Sequence, residues 1–141
     1  MERTIKLLIM DDESQILETY GEYFEKRGFD VELAADGQEG MSKLREGEFD
    51  VAIVDIRMPQ VNGIQVARLV NEEGIDTSLI ILTGQGEKED VIQAINLGVE
   101  GWFEKASVTA DELLQKVDEV AQVIPLDEVR RILSAIPQEE R

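Results

Sequence analysis

The chain has 141 residues, enough for one domain, and its 43% hydrophobic and 32% charged residues are the balance of an ordinary soluble globule. Its 31 Asp and Glu against 14 Lys and Arg leave a formal net charge of −17, a surface that repels phosphate backbones and argues against direct nucleic-acid binding. It has no cysteine and no histidine, so disulfides, thiolate or imidazole metal sites and Ser-His or Cys-His pairs are excluded; any chemistry must run on carboxylates, Lys, Thr or a hard cation.

In chain order, Met1-Glu2-Arg3-Thr4 leads into an apolar segment without a small-residue cleavage site, so it does not read as a signal peptide. Ile5-Lys6-Leu7-Leu8-Ile9-Met10 is a nearly continuous apolar run, the signature of a strand buried on both faces. Ile16, Leu17, Tyr20 and Phe24 then mark an amphipathic helix ending near Gly28. Val31-Glu32-Leu33-Ala34 predicts a second strand, and Asp36-Gly37 caps a helix bearing Met41 and Leu44. The third strand is Val51-Ala52-Ile53-Val54, followed after Asn62 by a helix carrying Ile64, Ala67 and Val70. Leu79-Ile80-Ile81-Leu82 is the fourth, and Val91, Ile92 and Ile95 mark the next helix. A short fifth strand lies near Trp102-Phe103, before a helix with Leu113, Leu114, Val117, Val120 and Ala121. Five such strand-helix units imply an α/β fold, a doubly wound parallel sheet with right-handed crossovers, in which the aliphatic stripes form the core. No apolar run reaches the ~18–20 residues needed to cross a bilayer.

A doubly wound sheet binds ligands beyond the carboxyl ends of its strands. Asp11-Asp12-Glu13 follow the first strand, Asp55 ends the third, Thr83-Gly84 end the fourth and Lys105 follows the fifth. Any one of these aspartates alone reads as a helix cap or a solvated turn residue. Together they are mutually repelling carboxylates that need a neutraliser. Mg²⁺ suits them, since it prefers oxygen ligands and keeps room for a phosphate. At such a site a carboxylate attacks phosphorus to give an acyl phosphate, while a cation and an ammonium group offset charge on the phosphoryl oxygens. Lys105 fits the ammonium role, and Thr83 can donate its hydroxyl to a phosphoryl oxygen.

With these residues in place, the chain resembles the receiver domain of bacterial two-component response regulators. The resemblance rests on four blocks in order: Asp11-Asp12; Asp55-Ile56-Arg57-Met58-Pro59-Gln60-Val61-Asn62-Gly63, which fits the D-x-x-M-P-x-x-N/D-G pattern; Thr83-Gly84; and Gly98 to Lys105. It covers roughly residues 4–123. It implies a five-stranded, flavodoxin-like sheet of order 2-1-3-4-5, a receiver domain over residues 1–123 and a helical tail or linker start over residues 124–141. By the same resemblance Asp55 is the phosphoacceptor, and Asp11, Asp12, Asp55 and the backbone carbonyl of Arg57 hold Mg²⁺. Thr83 and Trp102 stand at the two switch positions, and Lys105 contacts the phosphoryl group. The implied partners are a sensor histidine kinase or phosphotransfer protein, a downstream output domain or protein, and a second copy on phosphorylation. The implied setting is cytoplasmic, with no membrane partner and no enzymatic activity beyond Mg²⁺-dependent self-phosphorylation and autodephosphorylation.

Two positions depart from the family pattern. Trp102 stands where Tyr or Phe is usual, and the larger indole makes simple inward rotation difficult. Ala106 stands where a cis proline is usual; a cis bond to a non-proline residue costs ~2.5–4 kcal/mol, so the loop either holds that strain or turns in trans.

Beyond residue 123, Pro125 breaks the preceding helix, Leu126, Val129, Ile132, Leu133 and Ile136 form another helical stripe, and Pro137 stops it. This tail folds back, pairs with a second copy or begins a linker; Arg130 and Arg131 are too few for a basic patch. Three other readings compete. A Mg²⁺-dependent aspartyl-phosphate phosphohydrolase of the haloacid-dehalogenase type wants a second Asp two residues after the first, where this chain has Arg57. A flavin protein needs a Ser/Thr/Gly-rich phosphate loop after the first strand, where Asp11-Asp12-Glu13 would repel the phosphate, and Gly84-Gln85-Gly86-Glu87-Lys88 lacks P-loop spacing. A receiver acting only through constitutive contacts is disfavoured by the complete set of phosphorylation groups.

Overall fold

The computed structural model describes residues 4–84, 88–121 and 126–136, the side chains of the last segment from Arg130 onward. Pro125, Pro137, residues 85–87 of the glycine-rich stretch and the expected domain boundary near residue 123 lie outside the described residues. Strands and helices alternate as the apolar pattern predicts: β1 (Lys6–Met10), α1 (Ser14–Glu25), β2 (Asp30–Ala34), α2 (Gly37–Glu46), β3 (Val51–Asp55), α3 (Gly63–Glu73), β4 (Ser78–Thr83), α4 (Lys88–Asn96), β5 (Gly101–Glu104), α5 (Ala110–Ala121) and α6 (Leu126–Ala135). The strands form one parallel sheet in the order β2-β1-β3-β4-β5.

Successive side chains of a strand point to opposite faces, so each central strand feeds two cores. Leu8, Met10, Ala52, Val54, Leu79 and Ile81 face Met41 and Leu44 of α2 and Ile64, Ala67 and Val70 of α3. Leu7, Ile9, Val51, Ile53, Ile80 and Leu82 face Leu17 and Phe24 of α1 and Leu113 and Val117 of α5. All five residues of β3 are buried. This is why the strands read as continuous apolar runs without alternation.

One stripe turns the other way. Ile92 and Ile95 of α4 are 50% and 43% exposed, and Ala94 is the buried residue of that helix. Ala94 sits in the core with Leu97 and Val99 packed beside it. A shift of one position along a helix rotates a side chain by roughly 100°, which carries the isoleucines out of the core. Ile132 and Leu133 of α6, and Ile136 just after it, are each about half exposed (49%, 55% and 51%).

Candidate functional site

The register of the parallel strands brings their carboxyl ends to one edge. Asp11 follows β1 and donates its backbone N–H to the Ala34 carbonyl; Ile56 N–H after β3 donates to Leu82, and Lys105 N–H after β5 donates to Thr83. These bonds extend the ladder past the strands and hold the intervening side chains in fixed positions. Among the described residues, Asp11, Asp55 and Thr83 are the buried polar or charged ones, at 0%, 3% and 6% exposure. Asp12 is exposed at the mouth.

The β3–α3 segment explains the Asp55-to-Gly63 pattern residue by residue. Asp55 Oδ1 accepts from the backbone N–H of Arg57 at 3.3 Å. Met58 is buried in the core, and Gln60 sits in the left-handed region at φ 67°. Asn62 caps α3, its side chain accepting from Gln65 N–H while the Gln65 side chain accepts from Asn62 N–H. A side chain at Gly63 would place a Cβ 2.6 Å from the Asp55 carbonyl oxygen, so only glycine lets α3 start this close to the Asp55 backbone. Asp12, Arg57, Met58, Pro59 and Asn62 line an open cleft beside Asp55.

Lys105 anchors the centre. Its Nζ donates to Asp55 Oδ2 at 3.2 Å, to Asp11 Oδ1 at 3.2 Å and to Glu13 Oε1 at 2.9 Å. Burial alone would lower the Lys105 pKa, but hydrogen bonds to Glu13 and Asp11 and the charges of Asp55 and Asp11 hold it above its ordinary value. Burial pushes the Asp55 carboxyl up to about 7, assisted by the charge of Asp11 and opposed by Lys105 and the Arg57 N–H. Burial raises Asp11 as well, against the Glu13 N–H and Lys105. One ammonium therefore leaves the carboxylates under-neutralised.

The donor set fits a hard divalent cation. Asp11, Asp12 and Asp55 each offer a carboxylate oxygen, all within 4.8 Å of one another. Asp11 Oδ2 is buried and lies 2.9 Å from Lys105 Nζ, yet has no hydrogen-bond partner among the described residues. That oxygen is ion-paired but not hydrogen-bonded, so an oxygen-seeking cation could take it as a ligand.

The remaining expected positions divide. The Arg57 backbone stands beside Asp55, through its N–H. Thr83 Oγ1 donates to the Phe103 carbonyl at 3.3 Å, so its hydroxyl is engaged with β5. Trp102 does not join the cluster: it is 49% exposed on the edge strand β5, two strand positions from β3. Among the described residues there is no cis peptide bond, so the Lys105–Ala106 bond is trans. The contact that sequence reasoning missed is Glu13 to Lys105, 92 positions apart.

A 2-1-3-4-5 parallel sheet with an acidic pocket at its carboxyl edge is the architecture of receiver domains, and solved receivers superpose on it. The receiver domain of the Francisella response regulator 1452 matches with a TM-score of 0.78 and 28% identity, over 84% of this chain and 97% of that one. A response regulator receiver domain protein from Clostridium thermocellum matches with a TM-score of 0.77 and 30% identity, over 92% and 98% of the two chains. The family model for the response regulator receiver domain matches residues 7–118, and the chain belongs to that family. Sequence relatives include the transcriptional regulatory protein DltR of Streptococcus agalactiae, 32% identical over 80% of this chain, and the response regulator SaeR of Staphylococcus aureus, 34% identical over 70%. The chain spans about half the length of these relatives, 50% and 43% respectively.

Proposed function

We propose that this receiver domain is a phosphorylation switch in which Asp55 accepts a phosphoryl group from the phosphohistidine of a sensor kinase or phosphotransfer protein. The observation that carries the reading is Asp55 itself: a buried carboxylate on a strand end, at the edge of an open cleft, held by Lys105 and the Arg57 N–H. An Asp55 oxygen attacks phosphorus, the P–N bond to imidazole breaks, and the leaving nitrogen keeps the bonding pair, so the ring, protonated on its other nitrogen, departs as neutral imidazole. The product is an acyl phosphate on Asp55. A Mg²⁺ ion bound by Asp11, Asp12, Asp55 and the Arg57 carbonyl would supply charge neutralisation at the phosphoryl oxygens. Lys105, already at the pocket centre, turns its ammonium to the phosphoryl group. Thr83 releases the Phe103 carbonyl and donates to a phosphoryl oxygen, which couples the site to β5.

The output surface in this reading is the α4–β5 face, where Ile92, Ile95 and Trp102 are exposed. Exposed large apolar side chains grouped on one face mark interaction surfaces. The partner there is an output domain, a separate protein or a second copy. We read the chain from residue 124 onward, of which the structure describes residues 126–136, as a tail or linker start rather than part of the switch.

Intact-mass spectrometry after incubation with Mg²⁺ and acetyl phosphate tests the reading. A phosphoryl adduct is expected in the parent and absent in Asp55→Asn. No adduct in the parent at saturating donor and Mg²⁺ overturns it.

A further inference from the structure

Glu13 occupies the N-cap of α1 with extended backbone, φ −90° and ψ 110°, yet its side chain makes no capping hydrogen bond. Short Ser, Thr, Asp and Asn side chains are favoured at this position because they fold back onto the free N–H groups of the first turn. The Glu13 carboxylate instead reaches across the pocket to Lys105, at 2.9 Å. The Lys105 ammonium has three protons, and Asp11, Asp55 and Glu13 accept them. Two of these acceptors, Asp11 and Asp55, belong to the carboxylate cluster suited to a cation, and Glu13 does not.

Lys105 and a divalent cation therefore compete for the same oxygens, and two cations a few ångströms apart repel. We infer that Glu13 is a positioning residue that acts through Lys105. It holds the ammonium on the rim of the pocket, so that Lys105 gives up Asp11 and Asp55 to a divalent cation without leaving the site. Lys105 then stays in reach of a phosphoryl group on Asp55. The inference rests on the proposed cation-assisted phosphorylation. With the cation in place the Glu13–Lys105 pair is undivided, so its removal costs that state more than the cation-free one. Side-chain length is the decisive property. Aspartate at position 13 would keep the charge and make a better helix cap, but falls one methylene short of Lys105.

The test is Mg²⁺ binding by calorimetry, on the whole chain, for the parent, Glu13→Gln, Glu13→Asp, Lys105→Gln and the double variants. The Mg²⁺ Kd is expected to rise about two- to five-fold in both Glu13 variants, the range for a partly exposed ion pair. In the Lys105→Gln background the same Glu13 substitutions are expected to leave Kd unchanged. The ¹⁵Nζ resonance of Lys105 should shift in both single Glu13 variants before any Mg²⁺ is added. Because aspartate is the better cap, Glu13→Asp should melt no lower than the parent, which separates lost positioning from lost fold. A parent-like Kd in Glu13→Asp overturns the inference, as does a Glu13→Gln effect that persists without Lys105; either makes Glu13 a long-range charge only. If the parent shows no Mg²⁺ binding that Asp55→Asn removes, the reading of the site fails first and the inference falls with it.

Discussion

The proposed switch makes Asp55 a nucleophile in a place that disfavours its charge. Burial and then Asp11 raise its carboxyl to about 7, so in cation-free buffer folding takes up a proton that the unfolded chain, at 3.8, has released. This contribution to stability is full below about pH 4, declines as pH rises, and is gone above about pH 7, at up to ~1.4 kcal/mol per unit. Asp55→Asn removes the titration. In EDTA it is expected to raise Tm by roughly 5–10 °C at about pH 8 and far less at about pH 5, measured by thermal melts. Mg²⁺ at ~100 times its Kd should stabilise the parent at the higher pH by ~2.7 kcal/mol, and the Asn variant much less. Asp11, Asp12, Asp55, Thr83 and Lys105 were legible in the sequence because each follows or ends an apolar strand. The reach of Glu13 to Lys105 was not, since no periodicity connects residues 92 positions apart. Its one trace was a long acidic side chain where a helix cap prefers a short one.

At the scale of the element, the start of α3 and the rotation of α4 carry the most information. Gly63→Ala would drive a Cβ to 2.6 Å from the Asp55 carbonyl oxygen and 2.8 Å from Ile56 Cα, both backbone atoms that cannot swing aside. A loss of about 1–3 kcal/mol in urea unfolding is expected, with Asp55 displaced and phosphorylation slowed. Gly40, by contrast, faces the flexible Met10 side chain, where a Cβ meets Sδ and Cε rather than backbone. On α4, Ile95→Lys should change stability by no more than ~0.5 kcal/mol, whereas Ala94→Leu should cost about 1–3 kcal/mol, read from the same denaturant curves. The sequence placed every helix and strand, since the apolar runs and the Asp36 and Asn62 caps are local signals. It misjudged the inward face of α4. Val91, Ala94 and Leu97 offer one apolar stripe and Ile92 and Ile95 another, and the hydrophobic pattern alone cannot choose between them. In the fold it is the small Ala94 that is buried and joins the core.

Over the whole molecule, the net charge of −17 works against compactness, and the carboxylate pocket concentrates the strain locally. Raising monovalent salt from about 10 mM to 150 mM shortens the Debye length from roughly 30 to 8 Å, so Tm is expected to rise with NaCl until surface repulsion is screened. Trp102, the only tryptophan and half exposed, reports on the opposite side of the balance. Neutral acrylamide should quench its fluorescence readily, and iodide less well at low salt, because the acidic surface repels the anion. The gap between the two quenchers should narrow as salt is added. An indole already shielded from acrylamide would contradict the outward placement on β5.

The Thr83 hydroxyl carries a single proton, and at 3.3 Å its bond to the Phe103 carbonyl is long for an O–H donor. Giving that bond up with no phosphoryl oxygen to receive the proton costs roughly 1 kcal/mol, or about fivefold in population. A tilt that shallow makes the receiver a biased ensemble instead of a latch. In the proposed switch, a measurable minority of molecules is then expected to hold the switched arrangement without a phosphoryl group, and a partner with enough preference for it can recruit that minority on its own.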